Sequence, residues 1–219
     1  MMITIIFQRE FRMKANRVLS TPSTQLPDMF EYVEKGHVYQ LRAVNLKQDF
    51  DLLYKWMHEP HVIPQWQLNK SKIELMIHFE KMLMDDHQRL YIIQIDEQDA
   101  GYLEIYEAAR DRLAFYYDAK PSDMGWHILL GEKNVVGKGH FRAVMKMMCF
   151  FIFENSDASK IVGEPDVAVK SYSYIADQIA FEAQTIIDMP EKKAVLYHCY
   201  RENFLNICEV SHTLIEANE

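Results

Sequence analysis

The sequence has only three cysteines in 219 residues, Cys149, Cys199 and Cys208, an odd number without paired spacing. That excludes a disulfide framework and fits a reducing, cytoplasmic location. No apolar run approaches the ~18 residues needed to cross a bilayer, so no membrane partner is expected. The longest run, Val144 to Phe153, is broken by Lys146 and suits a buried helix. Positive charge is also short: 24 Lys and Arg against 32 Asp and Glu give a net charge of −8. This argues against a nucleic-acid partner, which leaves a basic patch. Internal repeats and low-complexity segments are absent. No Gly-x-Ser-x-Gly elbow exists, so serine-hydrolase chemistry lacks its usual support. His58-Glu59-Pro60-His61 is interrupted by proline and has no third ligand at zinc-like spacing, so no metal is expected.

What is present reads as α/β. Residues 1–36 show little periodicity and carry Arg9, Arg12, Lys14 and Arg17 against Glu10 alone. Without an apolar core segment or a small-residue cleavage site they are not a secretory signal, and they read as an N-terminal extension ahead of a domain over 37–219. His37 to Val44 reads as a strand. Leu46 to His58 reads as a helix with Phe50, Leu53, Tyr54 and Met57 on one face and Asn45 as its N-cap. Pro60 and Pro64 end it and imply an extended link through Trp66. Asn69 or Ser71 caps a second helix, with Ile73, Met76, Ile77, Glu80 and Leu83 at helical spacing.

Arg89 to Asp96 and Tyr102 to Tyr106 read as an antiparallel pair around an Asp99-Ala100-Gly101 turn. The long aromatic and acidic loop that follows, Glu107 to Asp123, is a candidate cover for a site. Strand Gly125 to Leu130, helix Phe141 to Phe153, strand Lys160 to Gly163 and helix Ala168 to Ile179 come next. Strands Phe181 to Asp188 and Lys193 to Cys199 close the chain. The order implies a mixed sheet with helices on both faces.

Three constellations carry chemistry. Asn134 to Gly139 is a glycine-bearing turn that opens a helix, where backbone N–H groups can cradle a pyrophosphate. It is neither a Walker A loop nor a Rossmann fingerprint. His127 lies on the strand just before it, on the same side as Gly125 and Leu129, and is a candidate proton carrier. Glu164-Pro165-Asp166 follows the next strand, where ligands of open α/β sheets sit. Asp166 there either orients His127, holds an amine, or caps the helix that follows.

In order and spacing, the segments Trp56-Met57-His58-Glu59-Pro60-His61-Val62 with Trp66, Gly101-Tyr102-Leu103-Glu104-Ile105-Tyr106, Asp111-Arg112, Tyr116-Tyr117-Asp118-Ala119, Gly125-Trp126-His127, Gly163-Glu164-Pro165-Asp166, and Lys192-Lys193-Ala194-Val195-Leu196 with Arg201-Glu202 are similar to one family. From about His37 to Phe204 the chain resembles the siderophore-biosynthesis acyltransferases of the GNAT superfamily. The resemblance implies a GNAT acyltransferase fold, with acetyl-CoA or another acyl-CoA lodged where two parallel strands splay apart. It places Val135, Val136, Gly137, Lys138, Gly139 and His140 at the CoA pyrophosphate and Leu129 and Leu130 along the thioester. His127 and Asp166 match the catalytic pair. Asn134 stands where the superfamily has Gln or Arg, Val169 where relatives carry Asn, and Ala180-Phe181 where they carry Gly-Phe.

The expected reaction is direct attack of a side-chain hydroxylamine on the thioester, giving a hydroxamate. His127 takes the proton, Asp166 orients it, and Tyr172 or Tyr174 protonates the thiolate. The loop with Asp111, Tyr117 and Asp118, together with Tyr106, receives the rest of a small amine or hydroxylamine substrate. The chain is expected to act as a monomer or homodimer. The alternatives are an acetyltransferase of plain amines, such as an aminoglycoside-type enzyme, and a non-catalytic CoA-binding protein.

Overall fold

The computed structural model describes Ser23 and residues 26–216. The basic segment Arg9 to Arg17 lies outside them. Eight strands form one sheet in the order β1-β2-β3-β4-β5-β6-β8-β7. The strands are β1 (Met29–Glu34), β2 (His37–Ala43), β3 (Gln88–Ile95), β4 (Gln98–Glu107), β5 (Asp123–Leu130), β6 (Lys160–Gly163), β7 (Phe181–Asp188) and β8 (Lys193–Tyr200). The helices are α1 (Leu46–Met57), α2 (Ile63–Trp66), α3 (Lys72–Met84), α4 (His140–Asn155), α5 (Lys170–Ala176) and α6 (Arg201–Glu216). All pairings are antiparallel except β5 with β6.

Several expected ends are set by caps. The Asn45 side chain accepts from Lys47 N–H at the start of α1. Ser71, rather than Asn69, begins α3 in a reciprocal capping box with Glu74. Other expectations are corrected. β1 pairs with β2 through a Lys35-Gly36 turn in left-handed conformation, so the sheet starts before residue 37 and a boundary at 36 would divide a hairpin. Residues 63–66 form a helical turn, not an extended link, because Pro64 tolerates the first turn of a helix, where its missing N–H has no partner to lose. The β3–β4 turn is at Asp96-Glu97, both with positive φ, not at Asp99–Gly101. Gly101 instead serves a close approach: a Cβ there would lie 2.2 Å from the Leu129 carbonyl oxygen on β5. On α3 the buried residues are Leu75 and Phe79, while Ile73 and Ile77 face solvent. α6 extends the chain beyond the expected closing strands.

The sheet has two differently covered faces. On one, Leu41, Tyr91, Ile93, Leu103, Ile105, Trp126 and Ile161 share a core with α4. α4 is buried on nearly every side, from Ala143 to Phe153, because Phe204 of α6 and Phe30 of β1 also pack on its Phe150 and Phe151. The other face carries two separate apolar clusters. Leu90, Ile92, Tyr102 and Leu129 meet Leu53, Trp56, Leu75 and Phe79 of α1 and α3. Tyr106, Val162, Ala194 and Leu196 meet Leu113 of the long loop, with Ile187 and Met189.

The parallel pair is short. β5 and β6 pair only at Asp123–Lys160, Met124–Ile161 and Gly125–Val162. β5 runs on to Leu130, held by β4 alone, so its backbone groups from His127 onward face no strand on the β6 side. Such an edge is a row of hydrogen-bonding groups ready for an extended partner.

Candidate active site

His127 projects from this open part of β5. Alternation along the strand puts it on the face with the two apolar clusters, in the interval between them. Its cross-strand partner in the β4 ladder is Glu104. The Glu104 carboxylate, 8% exposed, accepts from His127 Nδ1 at 2.7 Å. Glu164, just past β6 and 2% exposed, accepts from Nε2 at 2.9 Å. Tyr106 O–H donates to the second Glu164 oxygen at 3.2 Å, and Lys192 Nζ lies 3.4 Å from the first. The Tyr106 ring lies 4.9 Å from the imidazole, and Trp66 of α2 meets it edge-on at 6.3 Å. The imidazole itself is 29% exposed.

The electrostatics follow from this contact set. Burial favours the neutral ring, but Glu164 and Glu104 outweigh it and raise the His127 pKa to about 10. Burial alone would raise the Glu164 pKa; His127 and Lys192 reverse the sign and lower it to about 2. At neutral pH the ring is therefore an imidazolium donating from both nitrogens. Burial, with Glu164 adding, holds the Tyr106 hydroxyl well above its usual range, so it stays a donor.

The expected pairing of His127 with Asp166 is not the arrangement found. Both ring nitrogens are taken by Glu104 and Glu164. Asp166 Oδ1 accepts the Ala168 N–H at 2.7 Å, and its carbonyl accepts from Val169 N–H, which closes the turn before α5. The physical reason is position along the strand: Glu164, directly after β6, is seated on the ring, while Asp166 lies two residues farther along β8, opposite Ala194, with its carboxylate taken by the turn before α5.

Among the expected substrate residues, Tyr106 is brought to His127. Tyr117 O–H instead donates to Asp123 at 3.0 Å. Asp111 caps the turn over Arg112–Phe115 by accepting from Leu113 N–H, and Asp118 pairs with Lys120. Tyr172 is buried beside Trp126, at 5.6 Å, while Tyr174 is 76% exposed. His58 donates to the Tyr54 carbonyl and His61 to the Leu130 carbonyl, so they do not converge. Among the described residues no group of three His, Cys, Asp or Glu side chains is placed to hold a metal ion.

The glycine turn fits a diphosphate group. Gly137 and Gly139 have φ of +74° and +87°, and open space lies where their Cβ atoms would be. Gly139 is the N-cap of α4, with no side-chain cap bond to the first helical N–H groups. Val135, Val136 and Lys138 lie along this turn, with Val136 45% exposed. His140 begins the helix, its Nδ1 2.9 Å from the Tyr39 hydroxyl. Leu129 and Leu130 form the unpaired end of β5. Glu132 anchors the start of the turn by accepting from Trp56 Nε1 and Lys55 Nζ, at 2.9 and 2.6 Å.

Glu104 and Lys192 lie in segments whose sequence points to a strand and a turn, and only the fold brings them to the site. The available signal was a single acid inside the otherwise uncharged run Tyr102 to Tyr106, at a position that period-two alternation turns inward.

Comparison with known proteins agrees with this architecture. Residues 45–189 match the acetyltransferase (GNAT) domain family. The chain is 60% identical, over 87% of its length and 91% of the relative, to N-hydroxyputrescine acetyltransferase of Acinetobacter baumannii. It is 30% identical to the lysine N-acyltransferase MbtK of Mycobacterium tuberculosis over 58% of this chain and 61% of that one. A solved uncharacterized protein from Bacillus halodurans superposes with a TM-score of 0.78 at 30% identity, covering 82% of this chain and 93% of that one. The aminoglycoside acetyltransferase AAC(6')-Ib in complex with coenzyme A gives 0.69 at 20% identity, covering 76% and 96%, a likeness of fold. The split sheet, the glycine-capped helix after it and these matches together make the chain a member of the GNAT acetyltransferase family.

Proposed function

We propose that this chain transfers the acyl group of an acyl-CoA to the side-chain hydroxylamine of an N-hydroxylated diamine or amino acid. The product is a hydroxamate, an iron-chelating group of siderophores. The observation that carries the reading is the imidazole held between two buried carboxylates at the mouth of the β5–β6 split. The acetylation of N-hydroxyputrescine named for the 60% identical relative supports the substrate class. An N-hydroxydiamine is the first choice.

A hydroxylamine is a far weaker base than an amine and arrives neutral. Its nitrogen attacks the thioester carbonyl; the C–N bond forms as the C–S bond breaks. His127, once its Nε2 has given up the proton it holds toward Glu164, accepts the proton released, a contribution of about 10²–10⁴-fold. Glu104 fixes the ring. Backbone N–H groups of the unpaired strand near Leu129 polarise the carbonyl. The turn from Val135 to Gly139, with the first N–H groups of α4, holds the CoA diphosphate. Asp166, two residues beyond Glu164, is retained as a second candidate at the hydroxylamine. Three buried free cysteines suit work in the cytoplasm, as a monomer or homodimer.

Thiol release tests this. N-hydroxyputrescine, N-hydroxyornithine and N-hydroxylysine are compared with their parent amines under acetyl-CoA, succinyl-CoA and a longer acyl-CoA. Hydroxamate from at least one hydroxylated substrate, with its parent amine much slower, is expected. Faster turnover of the parent amines would overturn the reading.

A further inference from the structure

The two carboxylates on His127 are anchored differently. Glu104 belongs to the regular β4–β5 ladder, directly opposite the histidine, where cross-strand side chains are held about 4.5–5.5 Å apart at Cβ. The ladder keeps the two Cβ atoms opposite each other, so the Glu104 carboxylate stays within reach of Nδ1. Glu164 lies past the last β6 residue, on the side where β5 has no strand neighbour. It also has other partners in place, Tyr106 O–H on one oxygen and Lys192 Nζ on the other. If Nε2 lets go, Glu164 remains a paired carboxylate, so the usual penalty for stranding a buried charge does not apply. Glu104 has no such cation beside it in the described contacts.

We propose that Glu104 is a fixed positioning residue on Nδ1, whereas Glu164 is an exchangeable partner whose place at Nε2 the hydroxylamine takes. This rests on the hydroxylamine acylation proposed above. The balance of protons follows. Before exchange the ring carries a proton on each nitrogen. When the neutral hydroxylamine enters, Glu164 withdraws to Lys192 and Tyr106, and the Nε2 proton leaves to solvent. Nε2 is then a free base facing the substrate nitrogen, while Nδ1–H stays on Glu104. The proton lost from nitrogen during attack returns to Nε2. Substrate binding is thereby coupled to release of one proton.

The arrangement also selects. An alkylamine arrives as an ammonium and must lose a proton before it can attack. The resting site holds an imidazolium, which cannot take that proton. A hydroxylamine needs no such step. The groups facing the ring are Glu104 and Tyr106 from β4, Glu164 after β6 and Lys192 from the β7–β8 turn. His78 of α3 feels Glu104 from behind, and α2 presents only the uncharged Trp66.

The test is calorimetry of N-hydroxyputrescine binding to the full chain saturated with free CoA, at pH 7.5, in buffers of different ionisation enthalpy. Wild type is expected to release close to one proton per site. Glu164→Gln, which removes the charge holding the second proton, is expected to release markedly less. Lys192→Met removes the cation that receives Glu164, and is expected to raise the hydroxylamine Kd several-fold while leaving CoA binding unchanged. Binding heat without proton release in wild type would overturn the exchange while leaving the acylation reading intact. No binding of any hydroxylated substrate would instead remove the reading on which it rests. Nitrogen NMR of the His127 ring in the free protein gives a substrate-independent measure. The ring pKa should fall by about one unit or more in Glu164→Gln; an unmoved value would show that Glu164 does not hold the proton.

Discussion

Tyr106 and Gly125 sit directly opposite each other in the β4–β5 ladder, and the tyrosine ring fills the space where a glycine side chain would be. A Cβ at Gly125 would lie 2.2 Å from the ring. This vacancy in the side-chain row lets Tyr106 lean across to Glu164. Gly125→Ala should push the buried ring aside and cost about 1–3 kcal/mol of stability by overpacking. Urea unfolding and turnover should fall together, and Tyr106→Phe in the same background should relieve little of the clash.

The His127 pKa is raised by folding, so its contribution to stability is complete below the unfolded value near 6.5 and is lost as pH rises through about 10. Glu164 has the opposite sign: its contribution is present above the unfolded value near 4.5 and fades as pH falls through about 2. Thermal melts of wild type and His127→Gln should therefore differ most between about pH 4.5 and 6.5, narrow through neutrality and converge toward pH 10. A gap that widens with rising pH would contradict the charged ring. The same variant should lose most turnover while keeping CoA affinity.

Gly139 starts α4 with a φ of +87°, a conformation that a β-branched residue rarely adopts. Gly139→Val should redirect the first N–H groups of the helix and weaken CoA binding by about tenfold or more, roughly the 1.4 kcal/mol of one charge-assisted hydrogen bond. Open space lies around the position, so the strain of the substitution falls on the backbone of the turn and not on the core. Calorimetry of CoA against circular dichroism separates the two effects.

Glu132 holds the beginning of that turn to α1 through Trp56 Nε1 and Lys55. Glu132→Ala leaves the indole N–H of a buried tryptophan without its acceptor, at a cost of about 1–3 kcal/mol. Looser anchoring of the turn should raise the CoA Kd more than it lowers kcat.

Asp166→Asn keeps an oxygen for the Ala168 N–H and so preserves the local turn. If Asp166 contacts the hydroxylamine, the variant loses turnover with an unchanged melting temperature. Full activity would reduce Asp166 to a turn residue.

Local signals in the sequence located what local physics determines. Asn45 and Ser71 act as caps because a side-chain oxygen two or three residues ahead of a helical N–H is a short-range relation. His127 and the Gly137–Gly139 turn were legible for the same reason, since strand, turn and helix follow one another directly. The carboxylate partners were not. Glu104 and Glu164 reach His127 from positions 23 and 37 residues away, and only the ladder register and the end of β6 bring them together. The proximity of Asp166 in sequence to that strand end made it the plausible partner. Past Pro165 the chain continues alongside β8, and the Asp166 carboxylate is taken by the turn before α5. On α3, Ile73 and Ile77 gave a regular stripe, yet the sheet receives the face with Leu75 and Phe79, because the angle at which a helix lands is set by its neighbours.

The early parting of β5 and β6 has a consequence for the lifetime of the protein. In the proposed complex an extended amide-bearing arm of CoA laid along β5 would complete hydrogen bonding that the polypeptide leaves unfinished. Ligand that binds only the folded chain adds RT ln(1 + [L]/Kd), about 2.7 kcal/mol when CoA is at 100 times its Kd. Resistance to proteases that attack the opened chain rises in step. The protein is therefore expected to survive limited proteolysis longer with CoA than without it, a difference that a timed digest measures.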